Sequence, residues 1–186
     1  MSYRSLNILI LLSLMSISTF AQTAARWPAN SQVRVYLTSG HFSESEKIAI
    51  KSALSLWNPP EGITFALAGE TSSVETCDGC VTVLRGRTTQ PNHLGEIRMA
   101  ASNHQLLFAV ITLDPQAKSG LLLQTVFAHE LGHSLGLDDC LKCNSIMGVF
   151  PRVKVLGGLW GVSSDFTTRH TKPSVRDLAL LNALYP

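Results

Sequence analysis

Apolar and polar residues alternate through Val33-Arg34-Val35-Tyr36-Leu37, the period-2 pattern of a half-buried strand. Ser43 with Glu46 after it has the form of a capping box. Ile48, Ala49, Ala53, Leu54, Leu56 and Trp57 then recur at helical spacing until Asn58-Pro59-Pro60 stops the helix. Short apolar stretches at 63–67, 81–84, 95–100 and 107–113 read as four more strands, with a polar loop over 69–79 and a turn-rich insertion over 88–94. Residues 121–128 are apolar on nearly every side and run without a break into His129, and a helix that is apolar all round is a buried one. After a long glycine-containing stretch at 149–172, Ser174 is positioned to cap a closing helix with Leu178, Leu181 and Leu184 packing inward. The expectation is an α+β domain with five strands and about three helices, the second of them in the core.

The first residues do not fit that domain. Arg4 precedes an apolar run over 6–17, and Thr19-Phe20-Ala21 has the small-x-small form of a cleavage site, so 1–21 read as a signal peptide and 22–186 as one domain. The run is shorter than the roughly 20 residues needed to span a bilayer. This predicts a secreted protein, extracellular or periplasmic, with no membrane attachment after signal removal, and a monomer. With 15 Lys and Arg against 13 Asp and Glu, and Arg4 removed with the signal segment, the balance is near neutral, too small a basic surplus to neutralise phosphates, and no nucleic-acid partner is expected. Arg85 and Arg87 read as a solvated strand end.

The buried helix leads into His129-Glu130-Leu131-Gly132-His133-Ser134-Leu135-Gly136-Leu137-Asp138-Asp139, and Met147 follows in Ser145-Ile146-Met147-Gly148. Residues four apart stack on one helix face, so His129 and His133 can aim two imidazole nitrogens at one point. Glu130 rotates away from direct coordination yet stays within reach of a water there, the position of a general base. Gly136 can take a left-handed conformation that ends the helix and turns the chain back toward Asp139. Catalytic zinc takes three protein ligands and leaves one position open, and His129, His133 and Asp139 supply that count. Asp138 is the runner-up and is expected to be exposed or outside the ligand set. His93 and His104 are lone loop histidines without clustered acids.

These residues resemble the metzincin signature, H-E-x-x-H-x-x-G-x-x-H with a later Met-turn, with Asp139 in place of the third histidine in the manner of the snapalysin-like metzincins. The order of elements resembles the matrixin-type catalytic domain, which implies an α+β fold with a five-stranded mixed, twisted sheet and about three helices. The resemblance implies a zinc endopeptidase acting on protein or peptide substrates, with Zn2+ as cofactor, Glu130 as general base, Met147 as an apolar floor beneath the metal, and the 95–99 strand as an edge that pairs an extended peptide. It places the substrate side-chain pocket in the 149–172 stretch, where Leu156, Leu159, Trp160 and Phe166 are candidates. Astacins and serralysins carry a tyrosine two residues after the methionine; here that position is Val149.

The cysteines form two C-x-x-C pairs, Cys77/Cys80 and Cys140/Cys143. Export favours disulfides, with pairing within or across the motifs left open, and a structural or second zinc is the alternative, which the resemblance to archaemetzincins also allows. Two other functions compete with peptidase activity: a catalytically silent zinc-fold binding or inhibitor module, which an intact Glu130 argues against, and a zinc hydrolase of a non-protein amide such as a cell-wall peptide.

Overall fold

The computed structural model describes residues 25–57, 62–72, 77–91, 93–118, 120–140, 143–148, 153–154, 160–161 and 171–185. Five strands, β1 (Gln32–Thr38), β2 (Thr64–Thr71), β3 (Cys80–Arg85), β4 (Gly95–Ser102) and β5 (Gln105–Leu113), form one sheet in the order β2-β1-β3-β5-β4. The pairs β1–β2, β1–β3 and β3–β5 are parallel, and β4 lies antiparallel to β5 at the edge. The sheet is therefore mixed and five-stranded, as the resemblance to the matrixin-type domain implies. A separate two-stranded ribbon, β6 (Val153–Lys154) and β7 (Trp160–Gly161), lies within the stretch expected to form the side-chain pocket. Leu156, Leu159 and Phe166 fall outside the described residues.

Each strand's residue types account for its place. β1 alternates exposed and buried positions, burying Val33, Val35 and Leu37, whereas Cys80, Val81, Thr82 and Val83 of central β3 are buried on both faces. The β4–β5 hairpin closes through Asn103 and His104, both at positive φ (49° and 61°), the conformation of a two-residue hairpin turn.

Three helices cover the sheet: α1 (Glu44–Leu54), α2 (Leu121–Ser134) and α3 (Val175–Leu184). Both α1 and α3 start in full capping boxes, Ser43 with Glu46 and Ser174 with Asp177, so the first-turn N–H groups find partners at two helix starts. α2 has no side-chain cap at Gly120 and relies on burial, with Leu123, Val126, Phe127, Ala128 and Leu131 all essentially inaccessible. Burying such side chains contributes about 1.5–3 kcal/mol for each large one, enough to outweigh a missing cap worth about 1 kcal/mol.

Two tryptophans fasten α2 in place. Trp57 Nε1 donates to the Ala128 carbonyl at 2.7 Å, and Trp27 Nε1 donates to Ser134 Oγ at 3.4 Å.

Three expectations from the sequence need correction. Ile48 is 66% exposed and faces water, because α1 buries the Ala49, Ile50, Ala53 and Leu54 face instead. Leu178 on α3 is likewise 43% exposed while Leu181 is buried. Arg85 is not a solvated strand end: its guanidinium donates to the Asp114 carbonyl (3.1 Å), the Ala117 carbonyl (2.8 Å) and Glu46 Oε1 (2.7 Å). That contact ties α1 to the segment leading into α2.

Candidate metal centre and active site

The end of α2 shapes the site. Leu135 closes the helix, and Gly136 sits at φ 85°, the left-handed conformation expected for it. The Gly136 N–H donates to the His133 carbonyl (3.0 Å) and the Leu137 N–H to the Gly132 carbonyl (3.2 Å), the paired bonds of a Schellman motif. This turn brings the Leu137 carbonyl back against the helix, where it accepts from His133 Nδ1 at 2.8 Å. His129 Nδ1 donates in the same way to the Ile146 carbonyl at 2.8 Å. With both Nδ1 atoms occupied by carbonyls, both Nε2 atoms face a common point.

At that point Asp139 completes a cluster. The Nε2 atoms of His129 and His133 are 3.2 Å apart, and Asp139 Oδ1 lies 3.2 Å from the first and 3.5 Å from the second. Zinc bonds of about 2.0–2.1 Å in tetrahedral geometry place neighbouring ligand atoms roughly 3.3–3.4 Å apart, so the observed triangle fits one face of such a centre. The donor set, two imidazoles and a carboxylate, suits zinc chemically. Among the described residues this is the one group of three or more His, Cys, Asp or Glu arranged to hold a metal ion. Asp138 is exposed and is not in that cluster. His93 is exposed in its loop.

The electrostatics follow from crowding charge in a partly dry place. The His129 hydrogen bond holds the Asp139 carboxyl below its ordinary range. Burial works to lower the His129 pKa, but Asp139 and Glu130 hold it above the usual histidine value; burial pushes His133 down. A ligand histidine must be neutral to coordinate, so metal binding here releases protons. Glu130 is only 8% exposed, and burial pushes its carboxyl up to about 7, with His129 opposing and Asp139 and Glu96 adding to the shift.

The Met-turn is held from two directions. The Cys140 N–H donates to the Met147 carbonyl at 2.7 Å, and the Ile146 N–H to the Lys172 carbonyl at 3.0 Å. Buried Ser145 accepts from the Met147 N–H at 3.1 Å and donates to Asp177, the buried capping carboxylate of α3. Asp177 also accepts from the Ser174 N–H (2.6 Å) and the Ser174 hydroxyl (2.8 Å). The chain terminal to the site thus fixes the carbonyl that orients His129, a role for Ser145 and Asp177 that no local spacing signals. Met147 is fully buried and packs against Gly132, where an added Cβ would overlap its sulfur and stand 3.0 Å from Trp57 Cζ2.

The cysteines pair within each motif, Cys77 with Cys80 and Cys140 with Cys143. The second bridge begins next to Asp139, and Arg176 Nη1 of α3 lies 3.3 and 3.4 Å from its two sulfurs.

Comparison with known proteins agrees with this architecture. The family model described as Matrixin matches residues 38–155, more than half of the chain. No curated protein matches. Among solved structures, high choriolytic enzyme 1, a hatching enzyme zinc-protease from Oryzias latipes (Medaka fish), superposes with a TM-score of 0.52 at 14% identity, covering 87% of this chain and 94% of that one, and so shares the fold. Metalloproteinase-II from Bacteroides fragilis aligns with a TM-score of 0.47 at 14% identity, covering 88% of this chain and 55% of that one. The chain belongs to the matrixin family and is a zinc metalloendopeptidase.

Proposed function

We propose that this chain is a secreted endopeptidase in which His129, His133 and Asp139 hold the zinc and Glu130 is the general base. The observation that carries the reading is the convergence of three ligand atoms beside a buried glutamate whose carboxyl is raised toward neutrality. When bound, zinc lowers the pKa of a water in its open position toward about 7 and polarises the scissile carbonyl. Glu130 takes a proton from the attacking water at one carboxylate oxygen and delivers it to the leaving amine nitrogen as the C–N bond breaks. A carboxyl with a pKa near the working pH does both jobs, since it accepts and gives up a proton at similar cost.

Substrate would pair along β4. The Asp114 N–H donates to the Leu94 carbonyl at 2.9 Å, so the groups of Leu94 face β5. By the alternation of an antiparallel ladder, the N–H and C=O of Gly95 face the open edge, right beside Glu130. An extended peptide adding to that edge brings its backbone past the base. Met147 supplies an apolar floor, and Gly136 the turn that returns Asp139.

Residues 1–21 act as the signal peptide in this reading, and 22–186 form the enzyme domain. No helix of the described residues is long and apolar enough to cross a membrane. The two disulfides suit an oxidising compartment. The test is hydrolysis of casein by residues 22–186 before and after zinc chelation, beside Glu130→Gln. Activity lost on chelation, restored by zinc and reduced about 10²–10⁴-fold in Glu130→Gln supports the assignment. Activity surviving Glu130→Gln overturns the role of the base, and zinc retained by a protein without any hydrolysis points to a binding module.

A further inference from the structure

Glu130 lies against the first residue of the edge strand. A Cβ built on Gly95 would lie 2.6 Å from Glu130 Oε1, 2.7 Å from Glu130 Cγ and 2.8 Å from Val126 Cγ1. All three distances are far inside van der Waals contact, so a methyl group there forces a neighbour to move. Val126 is 1% exposed and β-branched within a helix, which leaves its side chain one strongly preferred rotamer. β4 is paired to β5 along its length, with Gly95 opposite Leu113. The Glu130 side chain has three rotatable bonds and is the element free to give way.

We infer that Gly95 is a positioning residue for Glu130, its missing side chain being the space that the general-base carboxylate occupies. The inference rests on the zinc-peptidase reading for its kinetic consequence but not for its geometry. Nothing about Gly95 requires glycine on conformational grounds: its φ is not in the left-handed region, unlike Gly136. The requirement comes from the helix across from it.

The experiment is Gly95→Ala in the zinc-loaded chain, read by its crystal structure, zinc affinity, kcat and KM, and repeated in a Glu130→Ala background, where stability to denaturant is compared. The structure is expected to show the Glu130 carboxylate displaced by about 1 Å or more, with His129, His133 and Asp139 in place. Such a misplacement costs on the order of 10²-fold in rate, expected in kcat rather than KM, with zinc affinity unchanged. Because Glu130→Ala removes both Cγ and Oε1, the two atoms of this side chain that the added methyl meets, Gly95→Ala is expected to cost less stability beside Glu130→Ala than beside the native glutamate. If Gly95→Ala folds poorly, Gly95→Ala with Val126→Ala opens the opposite wall, and the same comparison is made in that pair. A carboxylate that stays put while β4 shifts outward overturns the inference, as does an equal loss of stability in both backgrounds. Absence of hydrolysis by the unaltered protein counts against the peptidase reading, and the position of the carboxylate still decides the role of Gly95.

Discussion

Gly132 lies between the two histidines on α2, and replacing it with alanine sets two effects of known size against each other. In the middle of a helix, alanine is favoured over glycine by about 0.8–1 kcal/mol. Against this, the new methyl would stand 3.0 Å from Trp57 Cζ2 and 3.2 Å from Met147 Cε and would overlap the Met147 sulfur. Trp57 and Met147 are both fully buried, and Trp57 is fastened by its bond to the Ala128 carbonyl, so neither has free space to enter. Overpacking of this kind costs about 1–3 kcal/mol, occasionally more. Overlap with a buried sulfur puts the cost in the upper part of that range, so the steric effect wins and Gly132→Ala is expected to destabilise the protein by about 1–2 kcal/mol net. Urea denaturation of the metal-free protein reads the loss directly. In a Met147→Ala background, which removes both the sulfur and the terminal methyl, Gly132→Ala should cost less than in the native chain. A Gly132→Ala protein that gains about 1 kcal/mol would show that Met147 and Trp57 do not confine this face of α2, and the account of the Met-turn as a packed floor would be wrong.

Other perturbations test neighbouring parts of the same argument. Gly136→Ala places a Cβ at φ 85° and should cost about 1–2 kcal/mol while weakening zinc retention, since the Leu137 carbonyl that orients His133 depends on that turn; chelator competition measures the second effect. Asp177→Ala strands the Ser145 hydroxyl and dissolves the α3 capping box, a loss of about 2–4 kcal/mol by denaturant titration, and it should loosen zinc from a position far along the chain. Burial works against ionised Glu46, but the Ser43 N–H and hydroxyl together with Arg85 hold its pKa below the ordinary carboxylate value of 4.5. A folded pKa below the unfolded one gives stability that is fully present above that ordinary value and is lost as pH falls through the folded value. Glu46→Gln should therefore cost about 1–2 kcal/mol near neutral pH, and the gap to the native protein should close progressively in acid; a gap that persists unchanged at low pH would deny the ion pair with Arg85 its role.

Much of the fold was legible because its signals are local. Strict alternation marked β1, the Ser43–Glu46 and Ser174 caps marked two helix starts, and the unbroken apolar run before His129 marked a buried α2. The candidate cluster was legible for the same reason: two histidines four apart, a glycine where the helix must end, and an aspartate just beyond it all lie within one short segment. What escaped were contacts between distant parts of the chain. Ser145 and Asp177 are 32 positions apart, and the Ile146 carbonyl that orients His129 is 17 positions from it. Gly95 reads as an ordinary strand-opening glycine until Glu130 is seen against it. Periodicity also fails to choose between neighbouring faces of a short helix. In α3 Leu178 and Leu181 sit one turn apart, yet only Leu181 meets the core; in α1 Ile48 loses its place to the Ala49 and Ile50 face. Cysteine pairing could not be read from spacing, because two C-x-x-C motifs permit pairing within or across them.

The claim on which the rest depends is that Asp139 is the third metal ligand. Zinc content and affinity of the purified chain decide it when Asp139→Ala is measured beside Asp138→Ala and Glu130→Gln. The account predicts one zinc per chain in the native protein, in Asp138→Ala and in Glu130→Gln. It predicts an affinity loss in Asp139→Ala that exceeds the roughly 10–100-fold typical of an outer-shell partner. Zinc held as tightly by Asp139→Ala as by the native protein, or lost instead from Asp138→Ala, would contradict it.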